Sequence, residues 1–543
     1  MRQTFNIPYK ILFLFLSMAL LAPLSIVLAH LFFPDGAAWS HLVDTVLFDY
    51  IINSLTLTIG VAIGALLIGT ASAWVMTHYE FSLRKPMRVL LLLPLAMPAY
   101  ILAYSYTGLL DVSGPVQSAL RAYFSWSYGD YWFPDIRSMP FAIILMSLVL
   151  YPYVYILART AFAEQSQSMH EVAQIHGLST SQFFLRVSLP LARPALFTGA
   201  ALAMMEVLAD YGTVQYFGIS TFTTGIFRSW YAMGNRTAAT QLAGLLCLFV
   251  LCILVIEQHS RRKLKFYQSG TTLRRSAPRK RLTGWRNGVA IGVVSVPVVL
   301  GFLLPTVQLG VWAYSSWGDV DWPEYTRLIK ATFSVAIITA VLVVTIALAF
   351  TYQQRWLPSR LALWEVRGLN LGYALPGMVI AIGALIVLGR VDNWANHLWY
   401  SMYGEYVGLI FSGTLFALIF CYCIRFMSVA IQNTESGAAR LNPSVDDAAQ
   451  SLGSGRVKTF FLIHFPIIRA SILSAGLLVF VDVLKELPAT LVLRPFNFNT
   501  LAVKTYELAS DERLYDAALP ALTIVVVSLL PIFVITKWLD RGV

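Results

Sequence analysis

The sequence predicts an all-α polytopic membrane protein of about twelve transmembrane helices, arranged as two homologous six-helix halves. Three observations lead there. Hydrophobic residues make up 57% of the 543 residues and charged residues only 12%, with a mean hydropathy of +0.67, whereas soluble domains carry roughly 25% charge. Apolar runs of the roughly 20 residues needed to cross about 30 Å of hydrocarbon recur along the whole chain. One short pattern also occurs twice, at the same place in each half.

Taken in order, the apolar runs of the first half fall near 11–33, 55–77, 88–110, 141–163, 195–216 and 238–256, and those of the second near 287–313, 330–351, 370–390, 405–425, 470–492 and 517–537. Residues 1–29 are too long in their apolar part for a cleaved signal, whose core is about 7 to 15 residues, and no pair of small residues marks a cut. They read as a retained first span. Pro94 and Pro98 interrupt the third run, and Pro376 with Gly377 interrupts the ninth at a roughly corresponding place. Broken helices are tolerated where protein or a water-filled cavity satisfies the freed backbone, so Pro98, Pro376 and Gly377 are candidates for a gate, with bending for packing as the plainer reading. The polar, basic stretch 257–286 reads as a cytoplasmic linker between a first half, 1–256, and a second half, 287–543. Aromatic residues from Tyr123 to Phe133 suit an interfacial belt or a landing surface for an external protein.

Loop charge sets the expected orientation, because Lys and Arg beside a span are retained inside. Arg2 and Lys10 precede the first span; Arg84, Lys85 and Arg88 follow the second; a dense run from Arg261 to Arg286 follows the sixth; Arg355, Arg360 and Arg367 follow the eighth. The opposite loops carry Asp35, Asp44 and Asp49, then Asp319, Asp321 and Glu324. Both termini are therefore expected in the cytoplasm. The net charge of +11 is explained by this retention and by anionic lipid, which removes any need for nucleic acid. Cys247, Cys252, Cys421 and Cys423 all fall within apolar runs, where no disulfide framework is implied.

The repeated pattern is specific. Glu171, Val172 and Ala173 precede Gly177, Val187, Leu189 and Pro190; Asp447, Ala448 and Ala449 precede Gly453, Ile463, Phe465 and Pro466. Gly177 and Gly453 stand 276 residues apart, and so do Arg193 and Arg469, Glu206 and Asp482, and Asp210 and Glu486. One half is a duplicate of the other. Within each copy the residues favour a helix, a glycine turn and a second short helix that Pro190 should stop. Small residues at Ala173, Ala448 and Ala449 permit a close backbone approach, and Glu171 or Asp447 offers a partner for an arginine across an interface.

This pattern resembles the cytoplasmic signature of the membrane-spanning permease subunits of bacterial ATP-binding-cassette importers, Glu-Ala-Ala, three residues, Gly, nine residues, Ile, one residue, Leu-Pro. The resemblance implies the transmembrane fold of the type I importers, with both halves fused in one chain, and assigns 171–190 and 447–466 as loops that contact an ATPase. Asp447 for Glu and Phe465 for Leu make the second copy the more divergent. It further implies a dimer of ATPase subunits that use ATP and Mg, an extracytoplasmic binding protein, and residence in the bacterial inner membrane in contact with lipid. No Gly, four residues, Gly-Lys-Ser/Thr loop occurs, so this chain is expected to bind no cofactor and to hydrolyse no ATP itself. Within the family, the stretches 93–104, 206–213, 217–226 and 485–495 look most like ferric-iron permeases, while permeases for thiamine, phosphonates, sulfate and polyamines share the fold.

Glu206 and Asp482 lie well inside their runs, where ionisable groups are costly against lipid and should face the bundle interior. With Asp210, Tyr211 and Glu486 they are the expected lining of a translocation pathway favouring a cation. The bland alternative is structural, including an Asp482–Lys485 pair along one helix. A gradient-driven carrier would also have twelve spans, but has no use for the matched loop pair. His170, His176 and His464 lack metal-ligand spacing, so neither a metal site nor a catalytic constellation is expected.

Overall fold

The computed structural model describes residues 7–32, 36–165, 167–262 and 279–534. Arg2, Asp35, most of the basic cluster between Lys263 and Pro278, and the end of the last expected span lie outside them. Among the described residues, eleven helices are long and apolar enough to cross a membrane, and a pair bent by 92°, Arg84–Ala96 with Ala99–Phe124, makes a twelfth.

Several boundaries differ from the sequence reading, each for a local reason. The third run is a full break rather than a kink: Leu93–Ala96 is a 3-10 turn, Pro98 stands extended at ψ 139°, and a new helix starts at Ala99. The second half repeats this at Gly372–Ala374, with Pro376 at ψ 137° before the helix Gly377–Tyr403. The tenth span is Leu415–Ala438 rather than 405–425. Gly404, Gly408 and Gly413 take positive φ in the segment before it, and the carboxylate of Asp392 holds that segment through the N–H groups of Ile410, Phe411 and Ser412 at 2.8–3.2 Å.

Pro190 does not stop the helix that precedes it. A π turn, Phe184–Ser188, widens the backbone just before it, which relieves the clash of a proline ring with the carbonyl of the preceding turn. The fifth span consequently runs Thr180–Ala209 without interruption. Pro466 follows the π turn Phe460–His464 in the same way, and the eleventh span is Arg456–Leu484. The fifth and eleventh apolar runs both end earlier than expected, their last residues forming separate short helices, Gly212–Tyr216 and Pro488–Leu493.

Among the described residues two large hydrophobic cores hold the bundle, and each draws on both sequence halves. One joins Val61, Tyr104 and Tyr151 to Val294, Trp312 and Ile524; the other joins Val27 and Leu242 to Val343, Met378, Met427 and Val479. The end helices are thus exchanged. At the two crossings a glycine permits contact: a Cβ on Gly383 would sit 2.4 Å from the Pro23 carbonyl oxygen, and one on Gly301 would sit 2.5 Å from that of Leu148. A two-residue parallel ladder, Tyr79–Glu80 (β1) with Lys280–Arg281 (β2), ties the end of the linker segment to the loop after the second span.

Candidate functional site

The two copies of the repeated pattern fold alike. Gln167–Ile175 and Pro443–Ser451 are short helices; Gly177 at φ +71° and Gly453 at φ +74° turn the chain in the left-handed region, where a Cβ is disfavoured. Thr180–Phe183 and Arg456–Thr459 then begin the long helices. Ala173 and Ala449 face inward, whereas Glu171, Asp447, Ala448 and both glycines are exposed. Leu189 is half-buried beside Pro190, and Pro466 is exposed. Apolar residues stand out in both copies, with Ile175 82% and Leu452 88% exposed.

The copies are anchored differently. In the first, Ser179 and Gln182 form a reciprocal capping box, and Gln165 donates to the Ser188 carbonyl at 3.0 Å. In the second, Arg355 at the end of the eighth span donates to Asp446 from Nε at 2.8 Å and pairs with it at 2.6 Å through Nη2, while reaching the Leu441 carbonyl at 3.2 Å. The anchoring acid is thus Asp446, and its neighbour Asp447, the residue of the repeated pattern, points outward.

Each long helix carries this element to a cavity of about 130 Å³ between the halves. Glu206, Asp210, Tyr211, Asp482, Glu486 and Pro98 all line it. Asp210 accepts from the N–H groups of Thr213 at 3.0 Å and Val214 at 3.2 Å and from the Thr213 hydroxyl at 3.0 Å, capping the helix Gly212–Tyr216. Its repeat partner Glu486 does the same for Pro488–Leu493, accepting from Ala489 and Thr490 N–H at 3.0 Å. Such caps satisfy the free N–H groups of a helix start, so these two carboxylates shape the cavity by holding its short helices. Tyr211 packs its ring on Phe227 and Tyr506, with centroids 4.9 and 5.9 Å apart.

Two cations that the sequence reading did not place here share the cavity. Arg425 pairs with Glu486 at 3.4 Å, and Lys485 with Asp482 at 2.9 Å, the intrahelical pair named as the bland alternative. Arg425 was missed because the tenth span was expected to end there; a cation in the middle of an apolar helix was the available signal. Gly377 lies against the Arg425–Glu486 pair, for a Cβ there would sit 1.9 Å from Arg425 Nη1 and 2.7 Å from Glu486 Oε1. Pro376 stands at the start of the helix Gly377–Tyr403, as its N-cap residue. Glu206 has different company: the hydroxyls of Tyr153 at 3.4 Å and Tyr373 at 3.2 Å donate to its Oε1, and neither tyrosine was singled out from the sequence.

The family model described as "Binding-protein-dependent transport system inner membrane component" matches residues 65–260 and again 358–543. The chain belongs to this family. Two matched copies agree with the internal repeat, and the chain is a multi-pass inner-membrane permease of an ATP-binding-cassette importer, a transport subunit rather than an enzyme. Such permeases work with ATPase and binding-protein partners. An Fe(3+)-transport system permease of Haemophilus influenzae is 26% identical over 494 residues, covering 90% of this chain and 89% of that protein. A molybdenum transport system permease of the same organism is 23% identical over 212 residues, 38% of this chain and 90% of its own length. A sulfate transport system permease of Salmonella typhimurium is 27% identical over 207 residues, 37% of this chain and 71% of its own.

Proposed function

We propose that this chain carries ferric iron, delivered by an extracytoplasmic binding protein, into the cytoplasm, and that an ATPase dimer drives it through the two helix-turn-helix elements. Both termini and both elements then face the cytoplasm. The observation that carries the reading is a mechanical one. The helix Thr180–Ala209 starts at the first element and bears Glu206 at the cavity, and Arg456–Leu484 does the same for Asp482. At 1.5 Å per residue each spans roughly 39 Å from element to carboxylate. Drawing the ATPase subunits together would tilt these two rods and open the cavity to one side or the other. The chain itself needs no bound cofactor for this, since ATP and Mg would act in the partner.

Four carboxylates against two cations in the cavity favour a positively charged cargo. The similarity to the iron permease extends over most of both chains, whereas the molybdenum and sulfate permeases, matched over 90% and 71% of their own lengths, align with less than half of this one. Arg425 and Lys485 are the observation that favours a second reading, an oxyanion cargo. Uptake of radiolabelled ferric iron, molybdate, sulfate, thiamine and a phosphonate by cells with and without the gene separates these. Loss of iron uptake alone is expected; intact iron uptake with loss of another solute would refute the cation reading.

A further inference from the structure

The duplication placed a carboxylate at the same depth in each half, yet the two now sit in different chemical settings. Asp482 is held by Lys485, whose repeat position in the first half is Ala209. Arg425, the partner of Glu486, corresponds to Val149. Both cations of the cavity therefore come from the second half, and both are engaged with carboxylates of that half. Among the described residues the hydrogen-bond partners of Glu206 are instead two phenols, Tyr153 from its own half and Tyr373 from the other, at 3.4 and 3.2 Å from the same carboxylate oxygen. A third phenol, Tyr100, is 5% exposed, lines the same cavity, and its hydroxyl has no hydrogen-bond partner among the described residues.

We infer that Glu206, Tyr153 and Tyr373 form an oxygen-ligand site in which a trivalent metal cation pauses while crossing the cavity. The inference rests on the ferric reading above and specifies the residues that would hold the cargo. Its chemistry is that of a hard cation with hard oxygen donors. A carboxylate and two phenolates supply three negative charges, so a trivalent ion bound to them forms a neutral unit, and a neutral unit escapes most of the cost of a buried net charge. Binding displaces the two phenolic protons to solvent, as metal binding displaces protons from ligands generally. With metal–oxygen distances of about 2.0 Å, neighbouring ligands in an octahedral shell lie about 2.8 Å apart; the phenol oxygens need to approach Glu206 by only a few tenths of an ångström. Because Tyr153 and Tyr373 come from opposite halves, rocking the halves apart pulls the ligand set open and releases the ion.

The test uses the full-length chain in lipid nanodiscs, titrated with ferric nitrilotriacetate and watched for the visible charge-transfer band of a ferric phenolate. The wild-type chain is expected to develop the band, Tyr153→Phe and Tyr373→Phe each to weaken it, and the double variant to abolish it. Glu206→Gln should weaken iron binding by about tenfold or more. The Phe variants keep the ring and should elute as monodisperse, helical protein, so loss of the band reports ligands and not folding. A double Phe variant that takes up iron at the wild-type rate, with no band in either protein, overturns the site and leaves the ferric reading standing. Absence of any iron uptake by wild-type cells overturns both.

Discussion

Gly377→Ala places one methyl group where the geometry is least forgiving. The new Cβ would lie 1.9 Å from Arg425 Nη1, 3.1 Å from its Cζ and 2.7 Å from Glu486 Oε1, against about 3.5 Å for comfortable contact. The Glu486 carboxylate is fixed by Ala489 and Thr490, so the guanidinium must give way. It can swing into the adjacent cavity, which relieves the clash but separates an ion pair now at 3.4 Å. The expected cost is that of modest overpacking, about 1–3 kcal/mol, well short of a misfolded chain. Thermal unfolding of purified protein should show this loss, and iron uptake should fall because the displaced cation occupies the cavity. Gly377→Ala combined with Arg425→Ala should be less damaging than the sum of the two, since the atom that clashes is gone. A Gly377→Ala protein with unchanged stability and uptake, or strictly additive effects in the double variant, would refute the packing of this glycine on the pair.

Gly177→Val and Gly453→Val force a β-branched residue into the left-handed region at φ +71° and +74°, at about 1–2 kcal/mol each, with no side-chain clash to add; ATPase activity in the assembled transporter should persist while transport falls. Arg355→Ala removes the anchor of Asp446 and should cost about 1.5–3 kcal/mol, read as earlier proteolysis of the segment 439–456 with the first element unaffected. In a background without native cysteines, Tyr406→Cys should react with an impermeant thiol reagent on intact cells, and Gly453→Cys only after permeabilisation; the reverse pattern would overturn the orientation.

Much of this architecture was legible in the sequence because lipid imposes simple rules. Apolar length sets the number of spans, and the repeat offset pairs Glu206 with Asp482 and Asp210 with Glu486. Gly177 and Gly453 were readable as turns because few residues tolerate that backbone. The boundaries were less legible where hydrophobicity continues through a break: Leu93–Ala96 is as apolar as the helix that follows it, and only the extended backbone at Pro98 reveals the interruption. Pro190 misled because a π turn can absorb a proline, and nothing local announces one. The cavity was half legible. Carboxylates in apolar runs stood out, but Tyr153 and Tyr373 are unremarkable among 26 tyrosines, and their meeting at Glu206 depends on packing between halves.

The central claim is that ATP hydrolysis in a partner, transmitted through both helix-turn-helix elements, moves ferric iron through this chain. Vesicles reconstituted with the chain, its ATPase and its binding protein test it directly. The account predicts accumulation of radiolabelled ferric iron only when ATP is supplied, lost in the Gly177→Val, Gly453→Val double variant. Accumulation driven by a proton or sodium gradient without ATP would contradict it.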